Sequence, residues 1–144
     1  MNVSECMTRD VRVGSPDDTL GSIAKLMVEL DSGVIPIGEN DRLVGMITDR
    51  DLAVRGLAEG RGPESKVREL MSSDVRYCYD DDLVENVLRN MGELQVRRLP
   101  VVNRDKRLVG IVSIGDMATE ASPAPTGQAL GQISQSGGLH NQSA

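Results

Sequence analysis

Two short turns in this 144-residue chain carry the residue types that can grip a nucleotide. Gly45-Met46-Ile47-Thr48-Asp49-Arg50-Asp51 and Gly110-Ile111-Val112-Ser113-Ile114-Gly115-Asp116 both read Gly-x-x-Thr/Ser-x-x-Asp, and both lead from an apolar run into the start of a helix. Free backbone N–H groups and the positive end of a helix dipole favour an anion there, and the Thr48 or Ser113 hydroxyl adds a donor for a phosphate oxygen. Three residues on, Asp51 or Asp116 returns to the same face with two acceptor oxygens, a match for the paired hydroxyls of a ribose. The same spacing also describes a capping box, in which hydroxyl and acid serve only the helix's own N–H groups. One such turn alone reads as a cap; two at matching places in a repeated unit point to ligand chemistry.

The repeat is what positions them. Residues 7–41 superimpose on 71–105 at an offset of 64: Met7, Asp10, Val11, Arg12, Asp17, Asp18, Met27, Glu29, Leu30, Pro36 and Asp41 all recur. One inserted residue then moves the offset to 65, and Arg42-Leu43-Val44-Gly45 returns as Arg107-Leu108-Val109-Gly110. Within each copy the hydrophobic period changes in the same order. Leu20, Ile23, Ala24, Met27 and Val28 have amphipathic-helix spacing, repeated by Val84, Val87, Leu88 and Met91. Asp17-Asp18 and Asp81-Asp82 are expected to open these helices as first-turn acceptors. Strands are expected at 11–13 and 75–79 before the helices, and at 34–37 with 43–47 and 99–102 with 108–112 after them. Pro36 and Pro100 argue that their strands begin there or lie at a sheet edge. Final helices are expected at about 49–57 and 115–121. The unit is β-α-β-β-α, twice, an α/β (α+β) chain.

In this order and in duplicate, the Cys6-Met7-Thr8 and Leu70-Met71-Ser72 openings, Val34-Ile35-Pro36-Ile37, Val96-Arg97-Arg98-Leu99-Pro100-Val101-Val102 and the two turns resemble the CBS-domain family over residues 5–120. The resemblance implies two tandem repeats packed as a pseudo-twofold module with two clefts between its halves: repeat 1 at 5–60, a linker at 61–69, repeat 2 at 70–121 and a flexible tail at 122–144 that holds His140. It implies an adenosine ligand such as AMP, ADP, ATP, NAD or S-adenosylmethionine, with room for magnesium bridging its phosphates. Thr48 and Asp51, or Ser113 and Asp116, would take phosphate and ribose. Adenine would lie against Val34 and Ile35 with Gly14 and Ser15 in one cleft, and against Arg98 and Leu99 with Cys78 and Tyr79 in the other. Arg98, in place of the small Val34, blocks the second adenine slot, reaches a phosphate, or is a solvated surface arginine paired with an acid, and Tyr79 either stacks on the base or packs. Arg50 and Arg55 are phosphate partners or a solvated face.

Other classes of function find less support. A formal net charge of -6 argues against general nucleic-acid binding. No run of residues is apolar and long enough to span a bilayer, and no cationic-then-apolar leader opens the chain, so a soluble, cytoplasmic, stand-alone pair is expected. Cys6 and Cys78 are far apart in sequence and read as buried apolar thiols rather than a redox or zinc pair. Asp80-Asp81-Asp82 lacks the spaced ligands of a calcium loop, so no metal site is assigned, and no required cofactor. With its single His in the tail, the chain offers no catalytic constellation. The expected role is a regulatory, energy- or redox-sensing nucleotide module, homodimeric, acting through an unknown partner protein or dimer rearrangement. The competing role is a structural dimerisation or docking module without ligand.

Overall fold

The computed structural model describes residues 1–120 and 123–135. It divides into two compact units, Arg12–Val75 and Met1–Val11 with the chain from Arg76 onward. In the 12–75 unit, helix α1 (Leu20–Leu30) precedes an antiparallel hairpin of β1 (Val34–Glu39) and β2 (Arg42–Thr48), followed by a π-helical segment, Asp51–Gly56. The other unit contains β3 (Cys78–Tyr79), α2 (Val84–Leu94), β4 (Arg98–Val102), β5 (Leu108–Ser113), α3 (Ile114–Ala118) and α4 (Pro123–Ile133). Its sheet runs β3-β4-β5, with β3 parallel to β4 and β4 antiparallel to β5. The β-α-β-β-α order therefore holds, although the strand expected at 11–13 shrinks to one parallel bridge, Gly14 to Ile37.

Alternation along the strands sets which face is core. Ile35, Ile37 and Ile47 pack with Leu20, Ile23 and Leu70 in one unit, and Leu99, Val101 and Val112 with Val87, Leu88 and Met91 in the other. Each such fully buried side chain contributes about 1.5–3 kcal/mol. Thr48 and Ser113, opposite Val34 and Arg98 in register, project from the other face.

The expectation for the prolines holds for Pro36, whose strand is an edge of a two-stranded sheet, and fails for Pro100. β4 starts two residues before Pro100 and is the central strand of three. Pro36 faces Met46 and Pro100 faces Ile111, yet Met46 and Ile111 turn their own N–H and C=O away, to Ser72 (3.0 and 2.8 Å) and Thr8 (2.9 and 2.8 Å). The proline pairs thus exchange no hydrogen bonds with their partners. On its other side Pro36 need only supply its carbonyl, which accepts from Gly14 N–H at 2.9 Å.

Those contacts expose a second departure: the units do not follow the sequential halves 5–60 and 70–121. The segment leading into the first repeat docks on the second repeat's sheet, and the segment leading into the second docks on the first's. The pairings are reciprocal. Val3 N–H donates to Asp82 O and Val67 N–H to Asp18 O, at 2.9 and 2.8 Å, while Thr8 bridges Ile111 and Ser72 bridges Met46. Met7 lies against Gly110 and Met71 against Gly45, at positions where any side chain would collide with the methionine sulfur.

The acidic pairs also differ from expectation. Thr19, not Asp17 or Asp18, caps α1, accepting from Ser22 N–H at 3.1 Å. Asp18 and Asp82 hold the preceding turns instead, accepting from Ser15 N–H (2.8 Å) and Tyr79 N–H (2.9 Å), while Asp17 pairs with Arg68 and Asp81 with Arg104. Within the expected tail, Pro123–Ile133 form α4, which buries Ala129 and Ile133 and receives a hydrogen bond from Gln95 Nε2 to Gln132 O at 2.9 Å. His140 lies outside the described residues.

Candidate functional site

Both turns close as complete capping boxes. Thr48 N–H donates to Asp51 Oδ2 at 2.9 Å and Asp51 N–H to Thr48 Oγ1 at 3.1 Å. Ser113 N–H donates to Asp116 Oδ2 and Asp116 N–H to Ser113 Oγ, both at 3.0 Å. The helical stretches they open differ, a continuous run over 49–59 whose middle, Asp51–Gly56, is π-helical, and the five residues of α3.

Their surroundings differ. Thr48 is fully buried and Asp51 is 2% exposed, whereas Ser113 and Asp116 are half-buried. With Oδ2 committed to the cap, Asp51 Oδ1 has Arg55 Nη1 at 3.6 Å, an ion pair beyond hydrogen-bond length. Burial pushes the Asp51 carboxyl above its ordinary value, against the hydrogen bonds from Thr48 and the charge of Arg55. Arg55 was open to either reading as a phosphate partner or a solvated face. The i,i+4 spacing from Asp51 was the available signal that the two would pair.

The remaining expected residues divide by the direction they face. Val34 and Ile35 are buried beside Thr48 and Ile47, and Arg98 and Leu99 lie opposite Ser113 and Val112. Ile35 and Leu99 belong to the cores, so only Val34 and Arg98 share a face with the hydroxyls. A side chain at Gly14 would strike Ile23 and Ile37, which places its open side toward the core, and the Cys78 thiol is 3% exposed in the other core. Burial raises that thiol to about 12, so it stays protonated. Cys6, read as buried, is only half-buried. Ser15 and Tyr79 are half-buried at corresponding turns. Tyr79 is not bare: the Arg104 guanidinium carbon stands 4.1 Å above its ring centroid, a contact that nothing in the sequence pattern marked.

Two open cavities lie elsewhere. One of about 660 Å³ runs between α2 and α4 past Glu85, Arg89 and Gln132, and one of about 390 Å³ is lined by Met27, Asp31, Gly33 and Asp49. Neither includes a turn hydroxyl or its aspartate. Among the described residues no group of three His, Cys, Asp or Glu is placed to hold a metal ion, and no helix is long and apolar enough to cross a membrane.

Comparison with known proteins fits this geometry to a family. The CBS domain model matches residues 3–56 and 67–122. The CBS domain-containing protein YhcV of Bacillus subtilis is 39% identical over 134 residues, covering 92% of this chain and 95% of that protein. The crystal structure of Hypoxic Response Protein I, with two coordinated zinc ions, superimposes with a TM-score of 0.77 at 37% identity, covering 85% of this chain and all of the other. The corresponding protein of Mycobacterium tuberculosis is 40% identical over 116 residues, 79% of this chain and 80% of its own. A crystal structure of CBSX2 in complex with AMP matches with a TM-score of 0.71 at 27% identity, covering 82% of this chain and 93% of that one. The chain belongs to the CBS-domain family and carries two tandem copies.

Proposed function

We propose that this CBS-domain pair is a regulatory module that binds an adenosine nucleotide, with the Thr48–Asp51 turn and Val34 as the preferred site and Ser113, Asp116 and Arg98 contributing a second. The observation that carries this reading is the buried carboxylate of Asp51. A neutral amide could accept the same bond from Thr48 N–H, so a cap alone gives no reason to hold an ionisable group at 2% exposure with its pKa raised. A carboxylate with Oδ1 held only by a 3.6 Å ion pair is suited to the two donors of a ribose, and Arg55, released from it, is suited to the phosphate. AMP bound to CBSX2 supports the ligand class. The response passes to a partner protein or through rearrangement of a homodimer, and the chain itself catalyses no reaction.

Calorimetric titration with AMP, ADP, ATP, NAD and S-adenosylmethionine, with and without magnesium, tests the reading in the native chain and in Asp51→Asn, which keeps the cap acceptor. Binding in the native chain that is lost in Asp51→Asn is expected. The completeness of both capping boxes favours a second reading, a docking or dimerisation module in which the turns serve only their helices. It requires no heat with any nucleotide at millimolar concentration, or equal binding by both proteins.

A further inference from the structure

α1 and α2 occupy the same place in the two copies, and their outer faces meet different surroundings. In the second copy α4 lies along α2. Gly92 lets the helices approach, since a side chain there would strike Gln132 and the α4 backbone at Ala129. Leu88, one turn earlier, is fully buried, and Gln95 closes the end of α4, its Nε2 donating to Gln132 O at 2.9 Å and to Gln135 O at 3.4 Å. In the first copy those three positions hold Ala24, Val28 and Asp31. Ala24 is exposed and Val28 is 81% exposed, and Val28 and Asp31 line the open cavity of about 390 Å³. The run after β2 leaves Val54 and Leu57 exposed as well. The helix face that one copy covers with α4 is thus bare in the other.

We infer that α4 seals the second copy's helix face, and that the bare face of α1 receives the α1 of a second copy of this chain, so that assembly stops at a dimer. Charge identifies the occupant. Lys25 and Asp31 stand three residues either side of Val28, and among the described residues neither side chain has a hydrogen bond or ion pair. Two antiparallel α1 helices crossing at Val28 set Lys25 of each chain against Asp31 of the other, twice over by the two-fold symmetry. Each Lys25 then also lies at the C-terminal end of the opposite helix, where a cation is favoured. Between these pairs the small Ala24 and Val28 allow close approach. An α4 from another chain would answer neither charge, because residues 123–133 contain no Asp, Glu, Lys or Arg. Residues 24–32 overlap over only about 13 Å, so the dimer dissociates on dilution. This gives the homodimer named above its surface and rests on no nucleotide.

Sedimentation velocity over a dilution series of the full chain, without nucleotide, tests both halves. The native protein should pass from dimer to monomer and show nothing larger. Val28→Glu should raise the dissociation constant roughly tenfold or more, because two carboxylates would meet at the crossing point. Lys25→Glu and Asp31→Lys should each raise it by roughly three- to tenfold, and the double variant should restore it. Position 31 is left-handed (φ 50°), a conformation that Lys106 already adopts in this fold. Gly92→Val gives the second copy the first copy's residue and forces α4 away. Amide exchange should then show α4 losing protection, and species beyond the dimer should form. A native monomer at every concentration, a dimer indifferent to Val28→Glu, or a double variant no tighter than the single ones overturns the α1 contact. Native species beyond the dimer, or a Gly92→Val protein that keeps α4 protected or loses it without growing past the dimer, overturns the seal. Nucleotide titration of the native chain reads neither contact, so this inference and the nucleotide reading fail separately.

Discussion

The two turns share one pattern of hydrogen bonds and sit in different environments. Around Thr48 and Asp51 the protein is closed, and burial makes the charge on Asp51 costly. Around Ser113 and Asp116 it is half-open, with Arg98 in place of Val34. Duplication conserved the geometry that closes a cap, while the residues around each cap diverged. Asymmetry of function therefore has to be sought beside the turns rather than in them.

The strongest way to break the comparison is to remove one leader. Deleting residues 1–11 takes Val3 and Met7 from the unit that holds β3, β4 and β5, a loss of about 3–6 kcal/mol of apolar burial, and leaves the 12–75 unit with all its own segments. Amide hydrogen exchange should show protection falling in β4 and β5 and persisting in β1 and β2. Equal loss in both units would show that they stand or fall together. A smaller intervention compares the two glycines under the leaders. A methyl at Gly110 would meet the Thr8 carbonyl at 2.7 Å, and one at Gly45 the Ser72 carbonyl at 3.1 Å. Gly110→Ala and Gly45→Ala should each cost about 1–3 kcal/mol in denaturant unfolding, the former more.

The smallest expected effect concerns charge. Because the fold raises the Asp51 carboxyl above its unfolded value, folding costs more when the group is charged than when it is protonated. The associated stability is present below the unfolded value and lost as pH rises through the folded one. Asp51→Asn should then melt higher than the native protein at neutral pH, with the gap closing in acid. A variant that melts lower at neutral pH would mean that Arg55 more than offsets the burial.

Much of this was legible beforehand for a physical reason. Helical and strand periods are local, and their recurrence at one offset exposed the duplication, the hairpins and both turns. The exchange of leaders was not legible as such, since no local pattern records which sheet a segment joins. Val3 and Glu5 do recur as Val67 and Glu69, which was a signal that the repeat begins earlier than residue 5. Two adjacent acids before each helix invited a capping role that Thr19 fills in α1 and no side chain fills in α2, because each helix starts a few residues later than they do. Helix α4 was missed because its Pro and Gly content disfavours helix, and packing of Ala129 and Ile133 with the hydrogen bond from Gln95 holds it. The cover on Tyr79 arises from a loop residue whose reach depends on the hairpin and on Asp81, neither of which spacing alone connects.

The reciprocal leaders also set a timetable for synthesis. Thr8 is made early, but its partner Ile111 emerges about a hundred residues later, a wait of roughly 5–20 s at ordinary elongation rates. Before Ser72 appears, the edge at Met46 is open, and the one leader yet in existence is the wrong one, with a methionine and a hydroxyl residue in the same order. A first leader that paired with Met46 during synthesis would have to leave before Ser72 could take that place.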